Sequence, residues 1–419
     1  MRPTRRALGL VVAAALLVLI GSNTQAGWLY VLAALVLGAA VAGALLPPLM
    51  VRGIEVERRA PEEAFAGDDV PVDLVVRNTT RRTKLALSIV DPHIAETIAF
   101  VDAIGPRQEV VLTTTRAAAR RGVVDGEPVR LRSSAPFGVA TASRRIPAPG
   151  RTVVYPRVVR VDWVPEAASA TKPIDEAHVR SRKGVGQDFI SVREYQQGDS
   201  LRYVHWPTTA RIGQLMVREF EQELPRRLGI VVDTWADTGV VGRGAGMDGT
   251  SASNESVLDA ACAAAASVAM HALGIGHPLA MAGACDRVVR SVDGPDPAEA
   301  LTWLAELRAP GGPPLETVLP QALPLLGRLD TLVVVMPTWA PNAATALVEH
   351  LADLDRGGLQ TVAVLVEAHT YGRSARATPM TPPESIDQIT RDLAAAGVAV
   401  YRVRREEDLA ACLMQPLAA

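Results

Sequence analysis

The sequence has few cysteines and few aromatic residues, and its charges are nearly balanced. Three cysteines, scattered and odd in number, exclude a disulfide framework and a zinc site. We interpret Cys262, Cys285 and Cys412 as small buried apolar residues of a protein in a reducing compartment. A net charge of −2 provides no general attraction to nucleic acid, so no nucleic-acid partner is expected.

Motifs for nucleotide chemistry and for nucleophilic catalysis are absent as well. The chain contains no Walker-type Gly-Lys-Ser/Thr and nothing that resembles Gly-x-Ser-x-Gly. The Gly184-Val185-Gly186 segment follows no predicted strand and opens no obvious helix, so it is not a dinucleotide fingerprint. We therefore expect no ATP hydrolysis, no cofactor and no enzymatic activity.

Two uncharged apolar runs at the N-terminus predict a pair of transmembrane helices within residues 1–52. They extend from Ala7 to Gly21 and from Ala26 to Val51, on either side of the polar stretch Ser22–Gln25. Basic residues flank only the outer ends, at Arg2, Arg5, Arg6, Arg52, Arg58 and Arg59. The positive-inside rule then predicts a multi-pass protein of the cell membrane, with both ends and the soluble domains in the cytoplasm.

The first apolar run also fits a secretory signal peptide. Its basic start, its apolar centre and the small-residue site Thr24-Gln25-Ala26 are typical of a cleaved leader. The uncleaved hairpin is favoured because a second apolar run follows at once and a basic stretch comes after it.

Residues 53–161 consist of short runs in which apolar and polar residues alternate, separated by turn residues such as Ala66-Gly67-Asp68 and Asp125-Gly126. This period of two predicts an antiparallel β-sandwich. No catalytic cluster is evident in it, so we interpret it as a spacer and packing domain.

Residues 226–419 alternate between strand-like and helix-like segments. Thr331–Met336 is a continuous apolar strand, as a buried parallel sheet requires. Two further strands, Pro278–Ala284 and Arg287–Val292, are predicted to form a hairpin. The alternation predicts a doubly wound α/β domain and, with the other segments, a multi-domain chain.

Residues 162–225 form a predicted linker followed by a segment that concentrates the aromatic residues. Five of the seventeen aromatics lie between Gly184 and Glu223, and residues 178–223 contain seven Lys/Arg and six Asp/Glu. Two interpretations remain open. The segment is either an internal clamp, with arginines paired to Asp188, Glu194 and Asp199 and Trp206 as packing anchor, or a clamp whose face also binds a partner.

This segment resembles the signature of the domain-of-unknown-function 58 (DUF58) family. The matching residues are Gly184, Gly186, Asp188, Phe189, Arg193, Tyr195, Gly198, Asp199, Arg202, Trp206, Ala210 and Arg211. His205 stands where the family often has Asp. Two other stretches, Arg120–Val123 and Ser134–Gly138, are similar to the family as well.

The resemblance implies a membrane protein with a β-rich middle and a von Willebrand factor A-like α/β domain. It also implies a non-enzymatic partner of a MoxR-type AAA+ ATPase in a membrane-associated assembly. The residues expected to bind the partner or to stabilise the segment are Asp188, Phe189, Arg193, Tyr195, Gly198, Asp199, Arg202, His205, Trp206 and Arg211.

Two alternative functions come from other classes. A von Willebrand A-like metal site needs Asp-x-Ser-x-Ser, but the chain has Trp235 and Asp237 at the hydroxyl positions. Only Asp233 fits, so no complete metal site is expected and an adhesion-type binder depends on Asp233 alone. The second alternative is a hydrolase in which His205 is the general base and Asp199 orients it.

Overall fold

A computed structural model of the chain describes most of the sequence. The described residues are 2–90, 98–161, 182–184, 188–196, 200–222, 226–234, 257–285, 288–294, 296–308, 315–337, 341–371, 383–405, 407–414 and 416. They form two compact units, of which the first contains residues 2–157 together with 257–259 and 301–307. The second unit contains the remaining described residues.

The first unit begins with a two-residue strand and three helices. These are β1 (Arg2–Pro3), α1 (Arg5–Thr24), α2 (Gly27–Leu45) and α3 (Pro47–Met50). The polar stretch Ser22–Gln25, predicted as the turn between the two spans, continues α1 over its first three residues. The Ser22 and Thr24 hydroxyls are satisfied within the helix, because each donates to a helical carbonyl at 2.8 Å. Gln25, with φ 51°, ends α1.

Ten further strands of the first unit share one core. They are β2 (Ile54–Arg59), β3 (Glu63–Phe65), β4 (Asp69–Asn78), β5 (Lys84–Val90), β6 (Ile98–Ile104), β7 (Glu109–Ala117), β8 (Gly122–Asp125), β9 (Val129–Ser133), β10 (Ala140–Ile146) and β11 (Arg151–Tyr155). They form a five-stranded sheet, β1-β10-β9-β5-β6, and two three-stranded sheets, β2-β4-β7 and β3-β11-β8. The apolar positions of the alternating runs, such as Val76, Leu87 and Leu131, lie in the core.

The prediction of a purely antiparallel sandwich is wrong at one strand pair. β3 and β11 pair in parallel, with Val153 opposite Glu63. Parallel strands need a long crossover rather than a hairpin, and here most of the other strands lie between the two in sequence. Alternation along a single strand reports which side chains face the core but not the direction of the neighbouring strand.

The second unit contains nine strands and seven helices among its described residues. The strands are β12 (Arg182–Gly184), β13 (Asp188–Glu194), β14 (Met216–Gln222), β15 (Leu228–Val232), β16 (Leu279–Cys285), β17 (Val288–Gly294), β18 (Thr331–Pro337), β19 (Gln360–Val366) and β20 (Ala399–Val403). The helices are α4 (Trp206–Ile212), α5 (Val257–Gly274), α6 (Pro297–Glu306), α7 (Leu315–Leu326), α8 (Pro341–Arg356), α9 (Pro383–Ala395) and α10 (Leu409–Met414), of which α5 and α6 each contribute a few residues to the first unit.

A six-stranded sheet in the order β17-β16-β15-β18-β19-β20 organises this unit. Five strands are parallel and β17 joins β16 as an antiparallel hairpin, where the sequence predicts one. The residues of β15 and β18 are buried throughout, which explains their uninterrupted apolar composition. The strand order reverses between β15 and β18, the point at which ligands bind in many open α/β sheets.

Within the described residues, three helices are long and apolar enough to cross a membrane: Arg6–Thr24, Gly27–Met50 and Val257–Gly274. Their surroundings differ, because 11% and 22% of the first two spans are buried but 72% of the third. The third is therefore a core helix of the α/β fold. Cys262 within it is fully buried, and Cys412 in α10 is 8% exposed, so the interpretation of these two thiols as buried residues is confirmed.

Candidate functional site

The family-like segment folds as a β-hairpin that carries a short helix. β13 pairs with β14 in antiparallel fashion, and the 3-10 turn Leu201–Tyr203 and α4 lie between them in sequence. Backbone hydrogen bonds fasten this insertion to the hairpin: Tyr195 N donates to Leu215 O at 2.8 Å, and His205 N donates to Met216 O at 2.7 Å.

Helix α4 is fixed at both of its ends. Pro207 occupies its first turn, where the missing N–H leaves no hydrogen bond unmade. Gly213 ends it in the left-handed conformation, with φ 78°, and its N–H donates to Thr209 O at 2.8 Å. The Thr209 hydroxyl accepts from Met216 N at 3.0 Å and so ties the helix to β14. The side chains of α4 are thus presented on a well-connected backbone.

The segment exposes four large apolar side chains, which we call the signature surface: Leu201, Trp206, Ile212 and Leu215. Their exposed fractions are 62%, 64%, 52% and 41%. The interpretation of Trp206 as a packing anchor is therefore wrong. Among the side chains of this segment that the structure describes, the buried apolar ones are Val204, Met216 and Val217. These three residues lie where Val204 and β13 pair with β14. The presence of a tryptophan in the sequence does not predict this pairing, and so it does not predict which residues are buried.

The same segment also carries exposed arginines. Arg202, Arg211 and Arg218 are exposed. Arg193 is half-buried and its Nη1 donates to the backbone carbonyl of Glu194 at 3.0 Å. Exposed tryptophan beside arginine is the composition that carries most of the binding energy at protein interfaces.

Several predicted site residues lie partly or wholly outside the described residues. Gly186, Gly198 and Asp199 lie outside them, and Asp188 and Phe189 are described only as backbone of β13, with Phe189 opposite Phe220. Tyr195 is half-buried after β13. The ion-pair clamp involving Asp188 and Asp199 consequently stays a prediction.

His205 contacts a neighbour within its own turn. It is half-buried at the N-cap position of α4, and its Nδ1 lies 2.7 Å from Thr208 Oγ1. A base and a hydroxyl at this distance are needed for nucleophilic catalysis, but side chains three residues apart at a helix start are also neighbours without any catalytic role. The orienting Asp199 lies outside the described residues, so the hydrolase stays a hypothesis.

Asp233 follows β15 at the strand-order reversal. It is 7% exposed, and its N–H donates to Val335 O at 2.9 Å. Trp235 and Asp237, at the hydroxyl positions of the motif, lie outside the described residues. Among the residues that are described, no three His, Cys, Asp or Glu side chains come together as a metal site. The adhesion-type alternative stays a prediction, and a Mg²⁺-dependent rise in the melting temperature would be its signature.

Sequence reasoning missed a buried carboxylate at the carboxyl ends of β19 and β20. Glu367 is 2% exposed and accepts from Arg402 Nε at 2.5 Å and from Arg404 Nε at 2.9 Å. His369 Nε2 lies 3.6 Å from the same carboxylate. Hydrogen bonds to Glu367 and then to Glu407 raise the pKa of Arg404 above its ordinary value. The cluster holds two neighbouring strands together through their ends.

A second missed cluster lies in the first unit, at Arg120 and Arg121. Arg121 has 5% of its side chain exposed, and its Nη1 donates to the carbonyls of Leu304 at 2.6 Å and Leu307 at 2.8 Å. Its Nε lies 3.0 Å from Asp259, which also pairs with Arg120 at 3.0 Å. The guanidinium thereby satisfies carbonyls at the C-terminal end of α6. The spacer interpretation of this stretch overlooked that role.

The described chain thus has two apolar N-terminal helices, a strand-rich region and a C-terminal α/β sheet. Residues 191–331 match the family described as "Protein of unknown function DUF58", which supports the resemblance to that family. The match covers β14, α4 and the first part of the six-stranded sheet. A comparison with curated proteins finds no match.

Similar solved structures include the CARDB domain of a Pyrococcus furiosus protein. Its solution structure is 15% identical, covers 23% of this chain and 94% of that chain, and has a TM-score of 0.16. A crystal structure of that domain with di-metal ions has 16% identity, coverages of 23% and 86%, and a TM-score of 0.13. The GH20 exo-β-N-acetylglucosaminidase of Vibrio harveyi is 6% identical, with coverages of 84% and 57% and a TM-score of 0.19. TM-scores this low do not establish a shared fold.

Proposed function

We propose that this chain is a membrane-anchored, non-enzymatic protein-interaction or assembly factor that binds its partner through the signature surface. The DUF58 resemblance makes a MoxR-type AAA+ ATPase the proposed partner. The proposed location of the von Willebrand A-like α/β domain is the cytoplasm, where such an ATPase works. The chain would supply the membrane-held docking surface, and the ATPase would supply the nucleotide hydrolysis that the sequence lacks.

The exposure of Trp206 carries this proposal. Trp206 is 64% exposed on a helix fixed at both ends, so packing against the described residues does not account for a tryptophan at this position. Leu201 and Ile212 add apolar area, and Arg202 and Arg211 provide donors suited to carboxylates on a partner. Buried tryptophan and arginine anchors dominate the energetics of many protein interfaces.

The two N-terminal helices support the anchoring part of the proposal. Each has the length of a bilayer-spanning segment, and only 11% of the first span and 22% of the second are buried. Large apolar side chains at their surfaces include Leu8, Leu19, Val31 and Leu35, all more than half exposed. A lipid environment would cover this apolar area, which water does not favour.

Trp206→Ala is expected to abolish recovery of the partner. Removing a central aromatic anchor costs about 2 kcal/mol or more of binding free energy, which is about a 30-fold weaker complex. The measurement is copurification of the full chain from native membranes, followed by mass spectrometry of the bound proteins. We expect a MoxR-type ATPase with the native chain and its loss with the variant.

Phe100→Ala is the matched control, because Phe100 is 60% exposed on β6, outside the signature surface. It should leave the copurified proteins unchanged, and both variants should keep the native melting temperature. Recovery of the same partner with Trp206→Ala would contradict the assignment of the docking surface. Absence of any ATPase with the native chain would contradict the proposed partner.

A further inference from the structure

A fully buried asparagine organises two turns at one end of the first unit. Asn78, at the end of β4, has no exposed surface. Its Nδ2 donates to the carbonyls of Arg82 at 2.8 Å and Gly105 at 2.9 Å. Its Oδ1 accepts from the N–H of Thr80 at 3.0 Å and from the Thr80 hydroxyl at 2.7 Å. One side chain therefore fixes the turns at residues 79–83 and 105–108.

The first of these turns packs against the end of the second apolar span. Gly53 O accepts from the N–H of Thr79 at 2.9 Å and from its hydroxyl at 3.0 Å. Gly53 has φ 66°, and a Cβ placed on it would lie 2.2 Å from Thr80 Cγ2, so only glycine allows this approach. Lys84, 4% exposed, donates from Nζ to Leu49 O at 2.6 Å and so ties β5 to α3.

These contacts gather positive charge, and the acidic residues Glu55 and Glu109 lie just outside them along the chain, each opposite Arg77 in the β2-β4-β7 sheet. Arg52, Arg81, Arg82 and Arg107 are all exposed. The three segments that come together, residues 47–53, 79–84 and 104–108, contain no Asp or Glu. Arg107 N also donates to Thr80 O at 3.2 Å, which links the second turn directly to the first. Residues far apart in sequence thus form one basic cluster at the end of the helices.

The position of this cluster along the bilayer normal follows from where the second apolar run ends. The apolar run stops at Val51, and Gly53, which holds the turn, is two residues further on. The headgroup layer adds about 5–7 Å to each side of the hydrocarbon core, about the distance that two residues span. If α2 and α3 cross the bilayer as proposed above, the basic cluster lies in that layer.

We infer that Arg52, Arg81, Arg82 and Arg107 form a binding site for anionic phospholipid headgroups. Guanidinium groups bind phosphate oxygens in a bidentate manner. A zwitterionic headgroup carries a compensating ammonium, whereas an anionic phospholipid such as phosphatidylglycerol presents net negative charge to the cluster. The inference rests on the membrane anchoring in the proposed function, but not on the identity of any protein partner.

The test compares how spin-labelled phosphatidylglycerol and spin-labelled phosphatidylcholine associate with the full chain in phosphatidylcholine bilayers. Each basic residue near a membrane surface contributes roughly a fivefold preference for anionic lipid. We expect the native chain to prefer phosphatidylglycerol by about tenfold or more. The combined variant Arg52→Gln, Arg81→Gln and Arg82→Gln should reduce this preference to near parity. Retention of the native preference by this variant would overturn the site.

A matched control removes the same charge elsewhere on the first unit. Arg130 lies on β9, and Arg144 and Arg145 lie on β10. Arg130 is opposite Arg145 in the antiparallel register of these two strands. On the other side of β9, Arg130 is opposite Val90 of β5. Val90 is six residues from Lys84 along that strand, which places Arg130 about 20 Å from the basic cluster. The corresponding triple glutamine variant should keep the lipid preference. An equal loss in both variants would show a general charge effect and overturn the site.

Alkaline extraction of the native membranes separates this inference from the proposed anchoring. Release of the native chain would overturn the anchoring and the lipid site together. A chain that stays in the membrane but shows no preference for phosphatidylglycerol overturns the lipid site alone.

Discussion

Glu367→Leu is expected to lower the stability of the α/β unit by about 3 kcal/mol. The substitution removes the carboxylate that Arg402 and Arg404 share, while Arg402 keeps only 14% of its side chain exposed. A buried guanidinium that loses a partner keeps its desolvation cost without the compensating attraction. Arg402 still contacts Asp387, and Arg404 still contacts Glu407, so the expected loss lies at the lower end of the usual range.

The measurement is the midpoint of thermal unfolding of the full chain in detergent. A loss of this size corresponds to a decrease of roughly 6–12 °C for a unit of 150–250 residues. Asp353→Asn is the control, because the Asp353–Arg356 pair is 68% and 73% exposed and such pairs contribute little. Equal, small shifts in both variants would contradict the role given to Glu367.

Arg121→Met is expected to destabilise the first unit by about 3 kcal/mol. Methionine fills a similar volume but leaves the carbonyls of Leu304 and Leu307 without their donor. In this variant Asp259 keeps its contact with Arg120. The Arg120 side chain is 37% exposed, so it compensates the Asp259 charge less fully than the buried Arg121 does. Most of the expected loss in stability therefore comes from the two carbonyls, which accept hydrogen bonds from Arg121 in the native chain and lose them in the variant.

Thermal unfolding again provides the measurement, with Arg151→Met as the control. Arg151 contacts Glu306 of α6 at 3.6 Å, but its side chain is 63% exposed, so its removal should change stability by less than about 1 kcal/mol. A melting temperature of Arg121→Met equal to that of the control would show that the helix end is satisfied in another way.

The α/β unit was the most predictable part of the fold. Helix α7 buries one of its faces, and the predicted apolar strand Thr331–Met336 lies within β18. Both signals are local, because a helix that packs on a sheet must be amphipathic and a strand buried on both faces must be apolar. The same reasoning located the β16–β17 hairpin.

Features that depend on distant residues were not predictable in the same way. The pairing of Glu367 with Arg402 requires the register of β19 against β20, in which Val366 lies opposite Val403. The placement of Thr79 and Thr80 beside Gly53 requires the turn that Asn78 fixes. The exposure of Trp206 likewise follows from how α4 joins β14. Composition identified the important segment, but it did not predict which side chains of that segment face outwards.

The most direct test of the docking claim is photo-crosslinking from the signature surface in native membranes. A photoreactive residue at position 201, where Leu201 is 62% exposed, reports any protein that contacts this surface. We predict a covalent adduct with a MoxR-type ATPase at position 201 and none at the control position 100. The absence of a protein adduct at position 201, or the same adduct at both positions, would contradict the account.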